Sequence, residues 1–193
     1  MNQLSPRSLA LLLFAVAPIS VSAAATSTWN ADLNHSAASF TATHLAISHV
    51  SGSIPIKSAT IVTPAGSDIP VSVRAELDPK GVDTHVGMRD DDLRSPHFFD
   101  VGAYPKMSFE STKITATDDK HFAMVGNLTM HGATHSVSLS AQMIGKGPGP
   151  RGDMRIAYTA TGSLDRTQWG MTYGTFVAGT TIEINLEIEA VKQ

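Results

Sequence analysis

Between Ile182 and Ala190 apolar and polar residues alternate without a break: Ile182, Ile184, Leu186, Ile188 and Ala190 share one side, Glu183, Asn185, Glu187 and Glu189 the other. Successive side chains of an extended strand point to opposite faces, so this segment buries one face and wets the other as a β-strand. The pattern recurs at Val71, Val73, Ala75 and Leu77 against Ser72, Arg74 and Glu76, and at Met107 and Phe109 against Ser108 and Glu110. It returns at Phe122, Met124, Gly126, Leu128 and Met130, at Val137, Leu139, Ala141 and Met143, and at Ile156, Tyr158, Ala160 and Leu164. Turn sequences at Pro64–Asp68, Asp78–Gly81, Asp118–Lys120, His131–Gly132 and Gly145–Gly152 separate these runs, which is the spacing of hairpins. Only residues 86–99, with the charged run Arg89–Arg94 ahead of Pro96, read as a short helical insertion.

The chain is therefore all-β and mostly antiparallel. A sheet with one apolar face and scarcely any helix to cover it either packs on a second sheet or closes on itself. Around eight strands of this length suit closure into a barrel, whose interior is either filled by side chains or left open for one small ligand. The presumed inner positions include small residues (Gly126, Ala141, Ala160, Gly162) and pliable ones (Met124, Met130, Met143). An ordinary packed core and a flexible apolar hollow both fit that lining. A membrane-spanning barrel does not, because the opposite faces carry Arg74, Glu110, Glu183, Glu187 and Glu189 where lipid requires apolar groups.

Charge and chemistry narrow the function. Fourteen Lys and Arg stand against seventeen Asp and Glu with no basic run, so nothing is available to neutralise a phosphate backbone and no nucleic-acid partner is expected. The chain has no Cys, which excludes disulfides, thiolate zinc sites and thiol nucleophiles. A Gly-x-Ser-x-Gly elbow and a Gly-rich phosphate loop are both missing, so no catalytic residue and no cofactor is assigned. Eight His keep a metal-binding stress protein as an alternative. His131 and His135 share a hairpin rather than a helix face, and His44 and His49 flank a turn from which they would have to converge with His35. No metal ligand set follows from that pattern alone.

Residues 1–25 have the anatomy of a secretory signal peptide: Arg7, an apolar block from Leu9 to Ala17, Pro18, and small residues up to Ala25. The block is about half the roughly 20 residues that a membrane-spanning helix needs. A short apolar region with an Ala-rich cut suits export to the bacterial periplasm, leaving residues 26–193 as one domain without stable membrane insertion.

Along that domain an ordered series of short blocks resembles the YceI-like family of secreted bacterial proteins. The blocks are Leu33–Ser36, Phe40–Leu45, Ile47–Gly52, Val82–Thr84, Met88–Asp90, Phe98–Asp100, Tyr104–Pro105, Phe109–Thr112, Gly126–Thr134 and Asp165–Gly170. The resemblance implies an eight-stranded, lipocalin-like antiparallel barrel whose apolar pocket holds a polyisoprenoid, a quinone or a fatty-acid-like lipid. Periplasmic transport or sequestration of such a lipid, without catalysis, is the function it implies, with a quinone-holding accessory to a membrane redox partner as an alternative. The bulky apolar candidates for the pocket wall are Phe40, Ile54, Phe98, Phe99, Phe109, Phe122, Leu128, Met130, Leu139, Tyr158, Trp169 and Phe176, and some of them serve as core. His44, Arg89 and Arg166 are candidates to meet a head group, the arginines through paired hydrogen bonds to phosphate or carboxylate. Arg89 and Arg166 equally suit internal salt bridges to Asp90 or Asp100. The resemblance also allows a homodimer, through the edge of any unclosed barrel.

Overall fold

The computed structural model describes residues 25–193. The signal-peptide reading of residues 1–25 thus falls almost wholly outside the described residues. Ten strand segments form one antiparallel sheet: β1 (Thr26–Ala31), β2 (Ala37–His44), β3 (Ser48–Ser53), β4 (Ile56–Pro64), β5 (Ser72–Leu77), β6 (Met107–Ala116), β7 (His121–Met130), β8 (Ala133–Pro148), β9 (Met154–Asp165) and β10 (Ala178–Lys192). Among the described residues a single α-helix, α1 (Gly87–Arg94), lies inside the 86–99 insertion, shorter than the insertion as a whole. From β4 to β10 each segment pairs with the next, β1 pairs with β4, and β10 returns to β1.

Ten segments occupy eight strand positions. β1 and β2 lie end to end along β10, with Ala31 opposite Ala190 and Ala37 opposite Glu187. Residues 32–36 bulge out between them opposite Ile188 and Glu189. Glu189 stitches the bulge, its carbonyl accepting from Asp32 N and Ser36 Oγ and its N–H donating to Ser36 Oγ. β3 and β4 form the next position in the same way, paired with β2 and β1 respectively. The eight-position closed barrel expected from the alternation is the fold, and the break in two of its strands is what raises the segment number.

The inner faces are those the alternation marks. On β7, Phe122, Met124, Gly126, Leu128 and Met130 are all buried, while His121, Ala123 and Asn127 are exposed. Gly126 sits where a Cβ would collide with the Phe109 ring and the Glu110 carbonyl oxygen, so the absence of a side chain there lets the ring cross the interior. Buried apolar residues form two clusters. One gathers Trp29, Ile61, Phe122, Tyr158 and Ile156, and the other Ile54, Val82, Met107, Met130 and Trp169.

The two ends of the barrel differ. Links 65–71, 117–120 and 149–153 join strands at one end. The other end carries the β2–β3 hairpin tip, the long excursion 78–106, and the segment 166–177 between β9 and β10. The hairpin turns through Leu45 and Ala46, with φ of 51° and 58°. His44 pairs with Ser48, so the loop is the three residues Leu45–Ile47, and residues with a Cβ reach the left-handed φ of the first two at about 1 kcal/mol or more each. In the excursion, Asp90 is the one buried residue of α1. Its carboxylate accepts from Thr84 N at 2.8 Å and Thr84 Oγ1 at 2.6 Å, and these bonds hold its pKa below the ordinary aspartate value. Arg94 fastens the other end of the helix to the carbonyls of Lys80 and Val82.

Candidate functional site

The barrel encloses a cavity of about 590 Å³, within the range of small-molecule sites. Its wall is apolar for most of its length. Ala38, Phe40, Val73, Leu139, Ala160, Ile184 and Leu186 come from strands on every side, and Met107, Met124 and Met130 add adaptable surface. The end toward links 65–71 and 149–153 is closed by buried side chains, among them Ile61, Phe122 and Tyr158. Tyr158 lies against the Asp68 carbonyl, to which its hydroxyl donates at 2.7 Å, and burial pushes its phenol pKa up. At the other end the wall takes in His44, Thr84, Arg89, Asp92, Arg166, Tyr173 and Val177. Tyr173 and Val177 are 52% and 40% exposed, so this is where the cavity meets solvent.

Thirteen of the fifteen residues proposed from sequence stand on this wall: Phe40, His44, Ile54, Arg89, Phe98, Phe99, Phe109, Phe122, Leu128, Met130, Leu139, Tyr158 and Arg166. Trp169 and Phe176 do not. Trp169 ends the 3₁₀ turn Arg166–Trp169, is 1% exposed, and donates from Nε1 to the Leu128 carbonyl at 3.0 Å, so it is core behind the wall. Phe176 is 86% exposed. It sits inside the turn that closes when Val177 N and Ala178 N both donate to the Gly174 carbonyl, and this turn leaves the Phe176 ring in solvent. Met171, Tyr173 and Val177 were missed by sequence reasoning, because their segment carries no alternation that would mark an inner face. Ala38 and Ala42 were missed too, although Ala38, Phe40, Ala42 and His44 do alternate with Ser and Thr along β2.

The internal salt bridges considered for the two arginines do not form. Arg89 donates from Nε to Thr84 Oγ1 at 2.7 Å and from Nη2 to the Thr84 carbonyl at 2.9 Å, so it reaches Asp90 only through Thr84. Arg166 is 3% exposed and is held by main-chain carbonyls, those of Gly179, Met171, Tyr173 and Ala178. Its guanidinium lies 5.3 Å from the centre of the Phe98 ring. Burial lowers its pKa from the usual arginine value, and the nearby Asp165 carboxylate acts the other way. Asp165 itself caps the 3₁₀ turn, accepting from Thr167 N and Oγ1. The cavity mouth therefore carries two guanidinium groups anchored by neutral oxygens.

The histidines are dispersed. His44 is on the cavity wall, His49 is exposed across the hairpin opposite Thr43, and His35 lies in the 32–36 bulge. His131 bonds the Trp169 carbonyl at 2.7 Å, and His135 meets the edge of the Trp169 ring. Asp32, His35 and Glu189 do bring ligand atoms within 4.8 Å of one another. A cation already serves this cluster, since Arg155 donates from Nη1 to Asp32 Oδ2 at 2.8 Å and to Glu189, and from Nε to Asp153 Oδ2 at 2.8 Å.

The bond from His35 and, after it, that from Arg155 lower the Asp32 pKa to about 2. An aspartate in an unfolded chain titrates near 3.9, so the support from this carboxylate is complete above about pH 4 and is lost as pH falls through about 2. A carbon-13 NMR titration of Asp32 is expected to show a midpoint near 2, rising toward the ordinary value when His35→Ala and Arg155→Met are combined. A native midpoint near the unfolded value would refute the assignment.

The comparisons with known proteins agree with this architecture. The YceI-like domain matches residues 29–190. A UPF0312 protein of Pectobacterium atrosepticum is 30% identical over 159 residues, covering 82% of each chain. The crystal structure of a Campylobacter jejuni YceI protein superposes with a TM-score of 0.72 at 27% identity, covering 78% of this chain and 90% of that one. A polyisoprenoid binding domain from Saccharophagus degradans, implicated in plant cell wall breakdown, shares the fold at a TM-score of 0.62 and 12% identity, covering 89% of this chain and 100% of the other. By the extent of the domain match and by its barrel, the chain belongs to the YceI-like family.

Proposed function

We propose that this protein binds a long-chain, isoprenoid-like amphiphile in the barrel cavity, and that it carries or sequesters that lipid without chemical turnover. The observation that carries the reading is one cavity that is apolar along its length, closed at one end, and furnished with Arg89, Arg166 and His44 at the other. A hydrocarbon tail gains about 0.8 kcal/mol for each CH₂ moved from water to such a wall. Ten methylenes supply about 8 kcal/mol, the equivalent of a micromolar Kd before the costs of immobilisation, and a longer tail offsets those costs. The head group lies at the mouth, where Arg89 and Arg166 favour a phosphate, a carboxylate or another oxygen acceptor. Arg166 has five N–H donors and four carbonyl partners, which leaves one N–H for that contact. The polyisoprenoid-binding description of the Saccharophagus domain supports the ligand class. With residues 1–25 read as an export signal, the carrier works in the periplasm.

The test is native mass spectrometry of the protein taken from its own host, followed by organic extraction of what it releases. One long-chain lipid per chain is expected. A protein that is empty as isolated and takes up no prenyl or acyl chain in vitro would overturn the proposal.

A further inference from the structure

We propose that the open end of the barrel docks on a lipid bilayer, with side chains from three links entering the membrane around the cavity mouth. The inference rests on the cavity being a lipid site. Ile47, the last residue of the β2–β3 turn, Met88 in the first turn of α1, and Phe176 in the segment before β10 are 84%, 85% and 86% exposed. Leu45, Val86 and Val177, beside them in sequence, are exposed too. Tyr173 is exposed on the same rim, whereas Leu33, Val71, Ile144 and Met154 stand singly elsewhere, on the 32–36 bulge, the 65–71 link and strands β8 and β9, which is ordinary for a protein surface.

The three links are held together at the mouth. Leu45 N donates to the Val177 carbonyl at 2.8 Å, joining the hairpin tip to the segment before β10. The His97 ring stacks on Tyr173 at 3.9 Å, and Phe98 meets Tyr173 edge-on, joining that segment to the excursion that carries α1. Within this three-residue tip Leu45 and Ala46 hold a left-handed φ that costs a residue with a Cβ about 1 kcal/mol or more, so apolar side chains stand there despite the backbone's preference.

Two features identify the occupant as lipid. Tyr173 and Val177 belong both to the exposed rim and to the cavity wall, so the rim continues the apolar surface of the cavity outward. A tail moving from a bilayer to the cavity along that surface never crosses water. Second, the apolar groups sit on separate turns around an opening, an arrangement that suits shallow insertion into a fluid interface. The charge near the rim says which lipid property matters. Residues 78–106 hold six Asp against four Lys and Arg, so the contact depends on apolar insertion and not on anionic head groups.

The experiment floats the purified full chain with vesicles of phosphatidylcholine and phosphatidylethanolamine, beside a triple variant with Ile47→Asp, Met88→Asp and Phe176→Asp. None of these three residues lines the cavity. The protein is expected to float with the vesicles, with little change when NaCl rises from about 0.05 to about 0.5 M. The variant is expected to lose about tenfold in bound fraction while keeping its affinity for a water-dispersed fluorescent fatty acid. Wild-type protein that stays at the bottom of the gradient, or a variant that floats equally well, overturns the docking surface. So does a wild-type dimer in vesicle-free buffer that the triple variant makes monomeric, because the rim would then be an interface between copies. Failure of both proteins to take up the fatty acid strikes the carrier reading instead, and rim-dependent flotation then supports docking by itself.

Discussion

Replacing Ala160 with Phe is expected to weaken binding of a long-chain fluorescent probe by about a hundredfold, with little effect on thermal stability. Ala160 is a buried residue of β9, paired with Ala141 on one side and Leu186 on the other, and it faces the cavity. A benzyl group there takes the space of about four methylenes of ligand, roughly 3 kcal/mol at 0.8 kcal/mol each, which is about two decades in Kd. The same substitution separates an open cavity from a filled core. In a packed interior the added ring would force neighbours off their rotamers at about 1–3 kcal/mol, and the melting temperature would fall. Probe titration and a thermal melt of the same sample distinguish the two. A stable variant that binds as tightly as the parent would show that the tail does not pass Ala160.

The second large effect belongs to Arg166. Exchange for Met keeps an unbranched apolar stem, shortens the side chain, and removes the donors that satisfy the carbonyls of Met171, Tyr173, Ala178 and Gly179. Losing the partner of a buried polar group costs about 1–3 kcal/mol. Several are stranded at once here, and relaxation toward water recovers part of the cost. A loss of about 3–5 kcal/mol is expected, or a fall of roughly 10 °C in Tm for a domain of this size. Because three of the four carbonyls lie within residues 171–178, amide hydrogen exchange should accelerate there before it does in β7 or β8. An unchanged melt would mean that the guanidinium is dispensable to the fold and serves the ligand alone.

How far these properties were legible in the chain depends on the segment. β7 and β10 could be read outright because, over Phe122–Met130 and Ile182–Ala190, apolar residues occupy every inner position except Gly126, and polar ones most outer positions. β1, β2 and β3 could not, since Thr, Ser and Ala suit either face of a sheet. The 32–36 bulge depends on Ser36 meeting Glu189, a partner more than 150 positions away. Strand residues such as Phe109, Leu128 and Leu139 stand on the cavity wall because strand geometry dictates where they point. Trp169 and Phe176 do not, because hydrophobicity alone does not say which way a side chain leaves an irregular link. The partners of Arg89 and Arg166 were misjudged for a related reason. Main-chain carbonyls have no sequence signature, so a search over residue types looks for carboxylates and passes over them.

The seam of the barrel joins the first and last of its ten strands, Trp29 opposite Lys192 and Asn30 opposite Val191, and Gln193 N donates to the Thr28 carbonyl beyond them. Synthesis proceeds from one of those partners to the other. A growing chain can zip its consecutive hairpins from β4 onward as they emerge, yet no ring exists until β10 arrives to meet β1. Until then the apolar lining is the face of an open, curved sheet with two raw edges, the form most prone to stray pairing. The surface that lines the cavity in the finished protein is thus the surface most in need of shielding during biogenesis, and the interval of risk lasts until the fifteen residues of β10 have been delivered.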